Sequence, residues 1–145
     1  MSKYRTFELR APSFFNARIR APLKPSSEPL SFFGDVDTTK GEVVNPDHPL
    51  RGKNIVGTIL VLPHGRGSTV GSYIIYALSK RGLAPAAIVA VRPDTVTLVG
   101  CVIAGIPYAY GAPMELLDPG LEGVLAELVV SEGKAILRIP AEVIQ

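Results

Sequence analysis

Residues 55–80 constrain this chain more than any other segment. Residues 55–62 read Ile-Val-Gly-Thr-Ile-Leu-Val-Leu, β-branched and almost continuously apolar. That is the pattern of a strand covered on both faces, unlike the alternation of a strand with one wet face. Residues 72–80 then place Ile74, Ile75 and Leu78 on one helical face, and Arg81-Gly82 supplies a cation and a C-capping glycine. Between strand and helix runs Pro63-His64-Gly65-Arg66-Gly67-Ser68-Thr69. A buried strand, a glycine-rich turn and a helix in this order imply a mixed α/β domain with its chemistry at the turn.

The flanking segments add mostly strands. Residues 17–21 alternate and predict a half-buried strand stopped by Pro22. Residues 30–33 predict a short strand, and 35–41 a polar turn whose chemistry accounts for Asp35 and Asp37. Residues 86–91 form a second buried strand, Asp94 caps a helix over 95–104, and 106–110 make a third strand. Residues 122–130 and 134–139 pair about Ser131-Glu132-Gly133. The first sixteen residues show no sustained period. The expected organisation is a tail or arm over 1–16 and one domain over 17–145, with a barrel-like sheet.

Composition narrows the function. The 145 residues suit one domain with a real core. The net charge of +2 is uninformative, but its distribution is not: the first thirty residues carry six basic against two acidic groups, and residues 111–145 the reverse. No continuous basic face with interleaved aromatics argues for nucleic acid. The apolar runs fall short of the ~18 residues of a membrane span. A single cysteine, Cys101, excludes an internal disulfide and fits a reducing compartment. The start of the chain, with Arg10 and Pro12, lacks the apolar run of a secretory signal. The expected location is the cytoplasm.

The turn itself carries the chemistry. Glycines let a backbone approach a ligand closely, and a helix start presents unpaired N–H groups that favour an anion. Arg66 adds a fixed positive charge, and Ser68 and Thr69 add hydroxyls. The same residues also fit a plain turn with a hydroxyl cap. No standard motif matches. A P-loop needs a lysine after its last glycine, the dinucleotide fingerprint has one residue fewer between its last two glycines, and Ser68 lacks the spacing of a nucleophile elbow. His64 has no obvious carboxylate to orient it and reads as a loop histidine. Cys101, His48 and His64 have no ligand spacing, and one cysteine cannot hold an iron–sulfur cluster. Arg92 lies in a loop after a buried strand, where it either faces the Arg66 cleft or is a surface group beside a helix cap.

Several separated motifs share one likeness. Phe32-Phe33-Gly34-Asp35-Val36-Asp37, Gly41-Glu42-Val43-Val44, His48-Pro49-Leu50-Arg51-Gly52, the segment from Val61 to Ser68, Gly71-Ser72-Tyr73 and Gly105-Ile106-Pro107 resemble the small subunit of the aconitase X family, in consistent order over about residues 17–139. The family often has Gly-Gly-Val-Asp where this chain has Gly34-Asp35-Val36-Asp37, and a serine where His64 stands.

The resemblance implies an aconitase-like swivelling β/β/α domain. It implies a heterodimer with a large subunit that carries a 4Fe-4S cluster, whose iron acts on the leaving hydroxyl, with no cofactor on this chain. It further implies a hydro-lyase that converts (R)-5-phosphomevalonate to trans-anhydromevalonate 5-phosphate in the archaeal mevalonate route. Bacterial relatives dehydrate a hydroxyproline instead. The family's serine base maps onto Ser68, with Arg66, Gly67 and Thr69 as substrate contacts. A subunit of a related aconitase X hydroxyproline dehydratase, a phosphate-ester binding module and a purely structural subunit are the alternatives.

Overall fold

A computed structural model describes residues 3–143; residues 1, 2, 144 and 145 lie outside the described residues. The chain runs through β1 (Tyr4–Arg10), β2 (Ala17–Pro25), the single turn α1 (Phe32–Asp35), β3 (Val36–Asp37), β4 (Glu42–Val43), β5 (Ile59–Leu62), α2 (Val70–Lys80), β6 (Ala87–Ala90), α3 (Thr95–Ala104), β7 (Tyr108–Tyr110), β8 (Leu125–Ser131) and β9 (Lys134–Pro140). Short 3-10 turns occupy Met114–Leu117, Pro119–Leu121 and Ala141–Val143. Seven strands close into a barrel in the order β1-β7-β6-β5-β2-β8-β9, while β3 and β4 form a small separate ladder.

The barrel has two kinds of wall. β2, β5, β6 and β7 are parallel neighbours. Every residue of β5 and β6 is buried, since their inner faces fill the barrel and helices cover their outer faces. The other wall is antiparallel and alternates. Ala126, Leu128 and Val130 of β8 and Ala135, Leu137 and Ile139 of β9 are buried, and their neighbours face out. The β8–β9 turn places Glu132 at φ 54° and Gly133 at φ 82°, the paired positive dihedrals that match a hairpin's twist.

β1 revises the expected tail. It pairs with β9 over its whole length, from Tyr4 opposite Pro140 to Arg10 opposite Lys134, and Arg10 also meets Tyr110 of β7. Phe7 and Leu9 point into the core. The third inward position is Arg5, which lies over the Phe7 ring and pairs with Glu115 at the barrel rim. With two apolar residues out of three, the alternation is too short to register as a period.

Three other expectations change. β2 does not stop at Pro22: residues 17–22 pair with β8 and residues 23–25 with β5, so the residue without an N–H sits where the ladder changes sides. The run 55–62 is a strand only from Ile59, because Gly57 turns the chain at φ 68°. Residues 30–33 are not a regular strand. The Ser31 N–H donates to Asp35 Oδ2 at 2.8 Å, and Gly34 at φ 105° bends the backbone, leaving only an isolated bridge from Leu30 to Gly65. Among the described residues no helix is long and apolar enough to cross a membrane.

Deleting residues 1–10 would leave β7 and β9 as open edges. The expected result is loss of the cooperative melting transition by circular dichroism. A sharp transition in the truncated chain would make β1 an appended arm.

Candidate functional site

The glycine turn leaves the C-terminal end of β5, beside the connection leaving β6. Crevices beyond the carboxyl ends of parallel strands are where α/β sheets hold ligands. Three contacts anchor the turn. The Gly65 N–H donates to Asp94 Oδ1 at 2.7 Å, the Arg66 N–H to the Leu30 carbonyl at 3.1 Å, and the Arg92 N–H to the Pro63 carbonyl at 2.9 Å. Two glycines are obligatory here. A Cβ on Gly65 would lie 2.0 Å from Thr97 Oγ1. Gly67 has φ 101°, and a Cβ there would lie 2.8 Å from Ser31 Oγ.

Beyond these anchors the turn is open. The Ser68 carbonyl accepts from the Gly71 N–H and the Thr69 carbonyl from the Ser72 N–H, which starts α2. The N–H groups of Gly67, Ser68, Thr69 and Val70 have no partner among the described residues. Thr69, the residue before the helix, makes no side-chain cap bond. The Ser68 hydroxyl likewise has no partner among the described residues, so a plain hydroxyl cap is not what this geometry builds. Arg66, Gly67, Ser68 and Thr69 are all exposed. Together they present hydroxyls, a guanidinium and consecutive free amides at a helix start, a combination suited to holding an anion.

The chain matches the family model described as the aconitase X swivel domain over residues 8–137. It belongs to the aconitase X swivel-domain family. Relatives of this swivel domain include the phosphomevalonate dehydratase small subunit of Pyrococcus abyssi, 47% identical over 97 residues that cover 67% of this chain and 75% of that protein. The protein of the same name from Methanothermobacter thermautotrophicus is 41% identical over 115 residues, 79% of this chain and 88% of that one. A chain in the crystal structure of Thermococcus kodakaraensis aconitase X in its holo-form superposes with a TM-score of 0.79 at 35% identity, covering 90% of this chain and 97% of that chain.

The swivel domain's remaining chemistry-bearing residues serve other purposes. His64 Nδ1 lies 2.6 Å from the Gly65 carbonyl, not against Ser68. His48 is buried between the Pro29 carbonyl and the Leu50 N–H. Asp35 holds Ser31 and Asn45. Asp37 holds Thr39, whose hydroxyl and N–H keep the Asp37 carboxyl below its ordinary range. Cys101 is fully buried, and burial first, then the nearby Asp94 charge, push its thiol and the Tyr108 phenol up, so both stay protonated. No group of three or more His, Cys, Asp or Glu among the described residues is arranged to hold a metal. Arg92 reaches the turn through its backbone, and its side chain is exposed.

Sequence reasoning found the Asp94 cap on α3 but missed the grip of Asp94 on Gly65 and the packing of Leu30 and Ser31 under the turn. Asp94 lies 29 residues from Gly65 and Leu30 bonds forward across a whole hairpin, so no local pattern reports either contact. Gly65→Ala should destabilise the chain by about 1–3 kcal/mol, because a methyl must displace the Thr97 hydroxyl and the Asp94 carboxylate. Urea denaturation measures it, and an unchanged midpoint would mean that the turn relaxes freely.

Proposed function

We propose that this chain is the small subunit of a phosphomevalonate dehydratase, a hydro-lyase component that supplies Ser68 as the base. One observation carries the reading: a partnerless serine hydroxyl stands among four free amide N–H groups, next to Arg66, in a chain similar to proteins of that name at 41% to 47% identity. Water loss beside a carboxylate breaks a C–H bond on one carbon and a C–O bond on the next. Ser68 takes the proton from carbon, the C–H electron pair becomes the double bond, and the hydroxyl leaves with its C–O electron pair as hydroxide, which a proton from solvent or from an acid of the large subunit would convert to water.

An ordinary serine hydroxyl is too weak a base for this. Ser68 acts as its alkoxide, stabilised by the N–H groups of residues 67–70, the α2 dipole and Arg66. These donors are fixed before substrate arrives, so little reorganisation opposes the reaction. Arg66, Gly67 and Thr69 also bind the anionic groups of the substrate. Among the described residues the iron–sulfur cluster implied by the family finds no donor set: the one thiol is buried and protonated, and no acidic or histidine cluster accompanies it. In this reading the cluster belongs to a large subunit, with which the chain forms a heterodimer.

The outer face of α2 and α3 supports such docking. α3 contains no charged residue, yet Val99, Val102 and Ile103 stand in water. A helix apolar on all sides is ordinarily covered. Tyr73, Val96, Val99 and Ile103 line an apolar groove of about 280 Å³ that starts at Thr69, one residue from Ser68. A partner seated there would close over the turn and exclude water from it.

Two measurements test these roles. In the reconstituted two-subunit enzyme, Ser68→Ala should lower turnover of phosphomevalonate about 10²–10⁴-fold while assembly survives. Near-normal turnover would remove Ser68 as the base. Ile103→Asp should abolish co-elution with the large subunit on gel filtration while the isolated chain keeps its melting transition; an intact complex would place the interface elsewhere.

A further inference from the structure

Beneath the turn sits a carboxylate that the elimination does not use. Asp94 Oδ1 accepts the Gly65 N–H at 2.7 Å, and Oδ2 accepts the Thr97 N–H at 2.9 Å. The side chain therefore ties the turn after β5 to the helix after β6. Capping α3 alone does not require this: serine or asparagine caps as well as aspartate. The second oxygen is committed to the backbone three residues before Ser68.

The surroundings of Asp94 are also unlike a core built only for stability. The Thr97 hydroxyl is buried with no hydrogen-bond partner among the described residues, and the buried Tyr108 hydroxyl lies against the Asp94 backbone without a well-formed hydrogen bond. Valine and phenylalanine would fill the same space without an unpaired polar atom. Buried groups left unpaired in this way call for a functional explanation. Here both border the one carboxylate that holds the turn: Thr97 through its N–H, Tyr108 through proximity to the Asp94 charge.

We propose that Asp94 is a positioning residue for Ser68. Its carboxylate fixes the Gly65 backbone, and through it the direction of the Ser68 hydroxyl and of the free N–H groups that follow. Thr97 and Tyr108 keep the surroundings of that carboxylate polar. Asp94 touches no substrate and exchanges no proton. The proposal rests on the assignment of Ser68 as base.

The test uses the reconstituted two-subunit enzyme with phosphomevalonate carrying deuterium at the carbon that loses its proton. Asp94→Asn keeps the shape and, with its one carbonyl oxygen on the Thr97 N–H, the cap, but it sets an NH2 donor against the Gly65 N–H. Asp94→Ser has a single oxygen, which serves Thr97 and leaves Gly65 unheld. Both should assemble with the large subunit. For each, kcat per assembled complex should fall about 100-fold, the loss expected when a reacting group is misplaced by about 1 Å. KM should rise far less than kcat falls, since the loosened amides also hold the anionic groups of the substrate, and the deuterium isotope effect on kcat should be at least as large as in the wild type, because proton removal is the step most impaired.

Wild-type kcat per assembled complex in both variants would overturn the proposal. So would a shrinking isotope effect, or failure of both variants to fold, which would make Asp94 a structural residue. Ser68→Ala run alongside separates the two readings. Full activity there overturns the assignment of Ser68, whereas an inactive Ser68→Ala with active Asp94 variants overturns only the role of Asp94.

Discussion

Two parallel strands, β5 and β6, end side by side with Leu62 opposite Ala90, and the carboxylate of Asp94 joins the turns that leave them. A hydrogen bond to a charged group contributes about 1.5–3 kcal/mol, more than a neutral one. This one acts where a small displacement matters most, since Gly65 leaves no gap between the turn and Thr97. The Leu30 carbonyl holds the next residue from the other side, and the Arg92 N–H holds Pro63. The backbone is therefore fixed up to Arg66 and taken up again where α2 begins. What lies between is free to face a ligand because everything around it is already committed.

The closed barrel supplies the rigidity behind that arrangement. A lone pair of strands could not hold two turns in register. Here β5 and β6 sit within a parallel wall, and the antiparallel wall of β8, β9 and β1 seals the ring. The two walls need different sequences. Strands roofed by helices read as solid apolar runs, while strands with a wet face alternate. Arg5 in β1 is an inward-parity position at the rim, where its guanidinium reaches Glu115 and lies over the Phe7 ring. Closure thus uses a charged residue at a place where the ring opens to solvent.

How far the sequence was legible follows from the range of each interaction. The α3 cap and the Glu132-Gly133 turn are local, and both occur where the residues predict them. The parallel core strands announce themselves through continuous hydrophobicity. The aconitase X likeness rests on motifs spread along the chain, and the family match bears it out. β1 was illegible because its neighbours, not its pattern, make it a strand. Leu30–Phe33 was misread because a carboxylate four residues on captures the Ser31 N–H. The Asp94–Gly65 contact was invisible because its two ends belong to successive strand–helix units. At the candidate site, the residues on display, Arg66 to Thr69, could be found from composition and glycine spacing. The residues that aim them could not.

The free amides of residues 67–70 and the uncharged exposed face of α3 point to the same conclusion from opposite directions. Unpaired N–H groups at a helix start leave positive potential without an answering anion. Exposed Val99, Val102 and Ile103 leave apolar surface without a covering wall. One deficit asks for charge and the other for its exclusion from water, and they meet at Thr69, which borders both the turn and the groove. A chain that completed its own active site would fill at least one of them. A chain that docks can leave both open, since a partner covering the groove lowers the dielectric around whatever anion the amides hold. With the large subunit docked as proposed, the interaction that completes the site and the one that strengthens its chemistry would be the same contact.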